Sequence, residues 1–141
     1  MSSILHNDCV FCKIANHELP CYKIYENKDF LAFLDISPIN KGHTLLIPKK
    51  HFETVLEINE KDFGEMMKLA KKISKAIIKA TKADGFEFCI NNKKAAGQVI
   101  PHLHLHIMPR FNKDGLKFNW PTKKYSKKEM EKTAEKIKNS L

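Results

Sequence analysis

Apolar and polar residues alternate through the run Pro101-His102-Leu103-His104-Leu105-His106-Ile107-Met108. A period of two is that of a β-strand, so the three imidazoles are expected on one strand face. Leu103, Leu105 and Ile107 then point the other way, into a core. Two further apolar runs, 22–26 and 30–35, flank Asn27-Lys28-Asp29, a composition suited to a turn. A third strand is predicted over 43–47, between Gly42 and Pro48, and the three form an antiparallel meander.

The period then changes. Phe63, Met66, Met67, Ala70, Ile73, Ile77 and Ile78 recur at three- and four-residue intervals, the stripe of a core-facing helix. Asn59 is its expected N-cap, and Gly85 is expected to close it after about residue 83. Strands over 86–91 and 102–108 follow. Ser126 with Glu129 forms a capping box for a C-terminal helical extension at about 126–140. The reading is a single α+β domain over 1–141: an antiparallel five-stranded sheet, one long helix and a C-terminal helix.

Composition narrows the function classes. The chain has 141 residues, 43% hydrophobic and 29% charged, which suits one globular core. No apolar run reaches the roughly 18 residues of a membrane span, and the N-terminus lacks a signal-peptide pattern. A cytoplasmic location is the expectation. The net charge of +9 favours anionic ligands. With one arginine, Arg110, and no basic–aromatic stripe, the lysines read as solvated helix faces rather than a specific nucleic-acid surface.

Cys9 and Cys12 form a Cys-x-x-Cys pair. It reads as a redox motif or as two thiolate ligands on a tight turn, and no strand-to-helix context supports the redox reading. Cys21 and Cys89 read as small hydrophobes. Ala96-Gly97-Gln98-Val99 runs into the histidine strand, where glycine permits close approach of the backbone to a ligand and nearby amides can serve a phosphate.

The His102-x-His104-x-His106 run, with Cys9-Val-Phe-Cys12, Ala32-Phe33-Leu34-Asp35-Ile36-Ser37-Pro38 and Gly42-His43-Thr44-Leu45-Leu46-Ile47-Pro48-Lys49-Lys50-His51, resembles the histidine triad (HIT) family in order and content. Within it the chain is similar to the Hint-like branch with zinc-type cysteines. The resemblance implies a hydrolase of purine nucleoside phosphoramidates or related nucleotide conjugates, such as those of AMP, working through a nucleotidyl-histidine intermediate. His104 would be the nucleophile, with His106 and Gln98 as further catalytic groups. Phe33, Asp35, Ile36, Asn91, Gly97, Gln98, Val99, His104 and His106 would bind the nucleotide, with Asn92 an alternative to Asn91. Cys9, Cys12, His51 and His102 would hold a structural zinc. A twofold homodimer joined at the long helix and fourth strand is also implied. Two other readings stay open: hydrolysis of dinucleoside polyphosphates or nucleotidyl transfer, and a non-catalytic nucleotide-binding or protein-interaction module. Relatives often carry glycine shortly after the asparagine, where this chain has Lys93 and Lys94, read as exposed loop residues. His43 reads as a core histidine beside the site. The segment Asn119-Trp120-Pro121 is a candidate wall of the leaving-group pocket.

Overall fold

The computed structural model describes residues 8–117 and 120–141; Asn119 lies outside them. Five strands, β1 Lys23–Glu26, β2 Phe30–Leu34, β3 Thr44–Pro48, β4 Gly85–Cys89 and β5 Leu105–Arg110, form one sheet in the order β1-β2-β3-β5-β4. Every pairing is antiparallel. The expected meander, α+β class and five strands are all present.

Both faces of the sheet are covered, which explains why Phe30-Leu-Ala-Phe-Leu34 and Thr44-Leu-Leu-Ile-Pro48 read as continuous apolar runs. On one face Ala32, Leu46, Leu105 and Ile107 pack with Met66, Leu69, Ala70, Ile73 and Ile77 of α2, Glu60–Thr81. Full burial of each leucine, isoleucine or methionine among them contributes roughly 1.5–3 kcal/mol before entropy is counted. On the other face Leu31, Phe33, Leu45 and Ile47 meet Phe11, Cys12 and Ala15 of a short helix, α1 Val10–Ala15. The histidines belong to this second face.

Asn59 caps α2 as expected, its side chain accepting from Asp62 N at 2.8 Å. Gly85 does not close the helix. Lys82 does, in the left-handed conformation at φ 59°, and Gly85 opens β4. The stripe also buries Leu69 and Ser74, the latter because its hydroxyl is satisfied by Ala70 O at 2.7 Å. Gly42, at φ +94°, lets the loop before β3 lie against the end of α2; a Cβ there would stand 2.8 Å from Thr81 Cγ2.

The last helix, α3 Lys127–Asn139, carries the predicted capping box and has no buried residue. No described helix is long and apolar enough to cross a membrane.

Candidate active site and metal centre

Phe33, Leu45, His106 and Cys89 stand opposite one another across four adjacent strands. This row places His106 mid-sheet on the α1 face. The strand itself begins only at Leu105, later than the expected 102. The alternation nevertheless holds upstream of it: Leu103 is buried in the α2 core, while His102 and His104 lie on the other side. Leu103 N donates to Phe52 O at 2.6 Å rather than to a neighbouring strand.

Hydrogen-bond partners assign each ring its tautomer. His104 Nδ1 lies 2.7 Å from His102 O, and a carbonyl only accepts, so the proton is on Nδ1 and Nε2 keeps a lone pair. Ile39 N donates to His43 Nδ1 at 3.1 Å, which places the His43 proton on Nε2. That Nε2 is 2.9 Å from His106 Nδ1 and 3.5 Å from Asp35 Oδ2. His106 therefore accepts at Nδ1 and carries its own proton on Nε2. The pair is complementary: one ring offers a lone pair, the other a proton.

The same accounting sorts two groups of ligand-type side chains. Cys9, Cys12, His51 and His102 offer ligand atoms that all lie within 4.8 Å of one another. His102 is fully buried, and its Nε2 donates to Pro48 O at 2.8 Å. Its Nδ1 lone pair is left facing Cys9 Sγ at 3.3 Å and Cys12 Sγ at 3.5 Å. Cys12 Sγ is 3.2 Å from His51 Nδ1. Ligands on a tetrahedral zinc stand about 3.6 Å apart, sulfur to nitrogen. The residues fit the ion. Burial, then the adjacent Cys9 sulfur, push the Cys12 thiol up to about 12, a cost that a bound cation would reverse. Asp35, His43 and His106 form the second group. A metal on His43 Nε2 would force its proton to Nδ1, against the Ile39 N–H, so this group suits proton handling instead.

The cysteine pair does not sit on an isolated tight turn. Cys9 is the N-cap of α1, its sulfur accepting from Cys12 N at 3.3 Å. Phe11, between them, lies edge-on to His104 with ring centroids 5.1 Å apart and also meets Phe33 at 5.7 Å. Packing of this kind buries His104 to 7% exposure and lowers its pKa, against the opposing effects of the His102 carbonyl and Asp35. Burial lowers His43 as well. His106 is held at about 4, first by burial and then by the neighbouring His104 and His43. The rings are neutral at pH 7.

His104, His106 and Asp35 open onto one cavity of about 830 Å³, well within the range of small-molecule sites. Phe33, Asp35, Ile36, Asn91, Gly97, Val99, His104 and His106 line it, with Val10, Phe11 and Ile14 of α1 completing an apolar wall. Asp35 also makes the turn that its sequence context suggests, accepting from Ser37 N at 2.8 Å through Oδ1. Asn91, not Asn92, faces the cavity; Asn92 Oδ1 instead holds Val55 N at 2.9 Å.

Gln98 departs from expectation. Its side chain is not on the cavity wall: Oε1 accepts from Lys93 N and Nε2 donates to Glu53 O, both at 2.7 Å. It is a brace for the loop, not an amide aimed at a ligand. Lys93 also departs from the plain exposed-loop reading. It has φ 72° and ψ 162°, a region that suits glycine and costs other residues about 1–3 kcal/mol. Lys94 opens the 3-10 turn Lys94–Ala96, and Gly97 closes it at φ 89°. Trp120 is exposed and does not line the cavity. Phe11 and Glu53 went unread in the sequence, because a lone apolar residue and a loop carboxylate carry no pattern.

Comparison with known proteins agrees with this geometry. A family model described as "HIT domain" matches residues 16–113. The chain is 49% identical over 115 residues to "Adenylylsulfatase HINT3" of Arabidopsis thaliana, covering 82% of this chain but only 58% of that protein. It is 37% identical over 134 residues to "Adenosine 5'-monophosphoramidase hnt1" of Schizosaccharomyces pombe, covering 94% and 98% of the two chains. Among solved structures, a HIT family member from Bacillus subtilis superposes with TM-score 0.87 at 38% identity, over 95% of this chain and 97% of that one. A zinc-bound histidine triad family protein from Mycobacterium smegmatis gives TM-score 0.76 at 34% identity, over 96% and 99%. With the family model spanning most of its length and two of the three aligned histidines, His104 and His106, lining the fold's cavity, the chain belongs to the HIT family.

Proposed function

We propose that the protein is a nucleotidyl hydrolase acting on purine nucleoside phosphoramidates or related AMP conjugates through a nucleotidyl-His104 intermediate. The observation that carries this reading is the tautomer pair: His104 with a lone pair on Nε2 beside His106 with a proton on Nε2, on one cavity wall. The base lies against Phe33, Ile36 and the α1 wall, the ribose hydroxyls donate to Asp35, and Asn91, Gly97 and Val99 face the ribose and phosphate. His104 Nε2 attacks the α-phosphorus in line as the bond to the leaving amine breaks. His106 Nε2–H hydrogen-bonds the leaving nitrogen, which departs as the amine with a proton taken from solvent. Water then opens the phosphorus–nitrogen bond to His104, its proton returning to solvent, and releases the nucleotide. The names of HINT3 and hnt1 support AMP carried on a leaving group as the substrate class.

Cys9, Cys12, His51 and His102 would hold a structural zinc, a closed set whose binding contributes to folding. The fold's edge supports a homodimer. Phe86 and Phe88 lie opposite Pro109 and Ile107, on the α2 face of edge strand β4, yet remain 44% and 39% exposed. Rapid quench of the protein with adenosine phosphoramidate into alkaline denaturant, followed by peptide mass spectrometry kept at basic pH, tests the mechanism. Adenylate is expected on the peptide bearing His104; a quenched sample with turnover but no adduct would sink the covalent route.

A further inference from the structure

Two adjacent carbonyls set the separation between the nucleophile and the loop expected to hold the phosphate. Phe52 O accepts from Leu103 N at 2.6 Å, one residue before His104. Glu53 O accepts from Gln98 Nε2 at 2.7 Å, one residue before Val99. Glu53 then closes a ring. Its carboxylate takes Lys93 Nζ at 2.9 Å, and Lys93 N donates to Gln98 Oε1 at 2.7 Å. Asn92 Oδ1 ties the neighbouring strand end to the same turn through Val55 N at 2.9 Å.

The ring is not a device for stability. Lys93 and Glu53 are 62% and 34% exposed, and ion pairs so open to water add little to folding. The lysine backbone moreover sits where glycine is at ease and other residues are strained. Strain of this kind persists where surrounding bonds over-determine a conformation, and such positions cluster at ligand clamps. What the ring does determine is the loop at Gly97 and Val99. Both line the cavity with His104 and His106, and Val99 N–H donates to no group among the described residues.

Resting on the nucleotide reading above, we propose that Glu53 and Lys93 are positioning residues for the α-phosphate. Acting through Gln98, they hold the Gly97–Val99 backbone ordered before the nucleotide arrives, at a spacing from His104 fixed by the Phe52 and Glu53 carbonyls. The ligand then does not bear the entropy of ordering the loop.

The Lys93→Gly variant tests this, since it removes the side-chain tie and relieves the backbone together. Thermal stability is expected to hold or rise, while Val99 amide exchange in the free protein quickens. The AMP dissociation constant should rise about tenfold, as for a loop left competent one time in ten. KM should rise with it while kcat stays close to the parent. Glu53→Gln keeps the carbonyl and loses the charge, so a smaller weakening is expected. Reversing the pair, Lys93→Glu with Glu53→Lys, should recover part of the affinity. Parent-like AMP affinity and Val99 exchange in Lys93→Gly would overturn the proposal, as would a loss of affinity accompanied by a matching loss of stability. A parent protein that fails to bind AMP would overturn the nucleotide reading, and this proposal with it.

Discussion

His104 Nδ1 stands 2.7 Å from the carbonyl oxygen of His102, two residues back in the same chain. The contact is local in sequence and lies just before β5, which begins at Leu105. The consequence is chemical: Nδ1 carries the proton, and the nucleophilic lone pair is on Nε2. Burial keeps the ring neutral, because an imidazolium in this position would lose its hydration.

The first prediction follows from that lone pair. His104→Ala should lower turnover of an adenosine phosphoramidate by several orders of magnitude while AMP still binds, because Asp35, Asn91 and the apolar wall remain. Single-turnover kinetics beside calorimetric AMP titration separates the two effects. Turnover near the parent value in a folded variant would refute the assignment.

Much of this site is legible in the sequence because its signals are local. Period two orders the triad, and the spacing of the two cysteines marks two candidate ligands. What escaped depends on contacts distant in sequence. The tautomer of His106 is set by His43, sixty-three residues away, and that of His43 by a backbone amide in the loop before it. Gln98 reads as a phosphate ligand by position, yet its amide is claimed by Lys93 and by Glu53, forty-five residues upstream. The start of β5 differs from the expected 102 for a related reason. His102 leaves the ladder to meet Pro48 O and the cysteine sulfurs, so β5 starts at Leu105 although the alternation begins earlier.

The second prediction concerns pH. Native His106 is held at about 4, whereas an unfolded histidine titrates near 6.5. The unfolded chain therefore takes up a proton that the native state resists. This group leaves stability intact above about pH 6.5 and lowers it as pH falls toward 4, by up to about 3 kcal/mol. Below that, both states are protonated and the loss levels off. Urea midpoints at pH 7 and pH 4.5 measure the slope, which His106→Asn should flatten. An equal slope in the variant would locate the effect elsewhere.

The third concerns the metal. Purified protein should carry about one zinc per chain, and Cys12→Ser or His51→Ala should remove it. Since all four positions are filled by protein, chelation should lower the thermal midpoint before it lowers the rate constant for bound substrate. Elemental analysis and melting curves with and without chelator provide the check. Metal-free protein with unchanged stability would count against the centre.

The last concerns assembly. β4 pairs with β5 along one side only, and among the described residues no strand neighbours its other edge. Edges of this length are commonly covered or paired, because bare ladders template unwanted association. Phe86 and Phe88, with ring centroids 5.4 Å apart, extend the α2 core past the area that the helix covers. A second copy related by a twofold axis would pair β4 with β4 and bring the two phenylalanine pairs together under the two long helices. The cavity is lined from α1, β2, the 91–100 loop, His104 and His106, none of them Phe86 or Phe88, so each copy keeps its own site. Light scattering at micromolar concentration should return twice the 16.3 kDa chain mass. Phe88→Glu should halve it by placing a charge in an apolar contact, with AMP binding retained in the monomer. A parent mass near one chain would refute the dimer and leave the exposed phenylalanines without a partner.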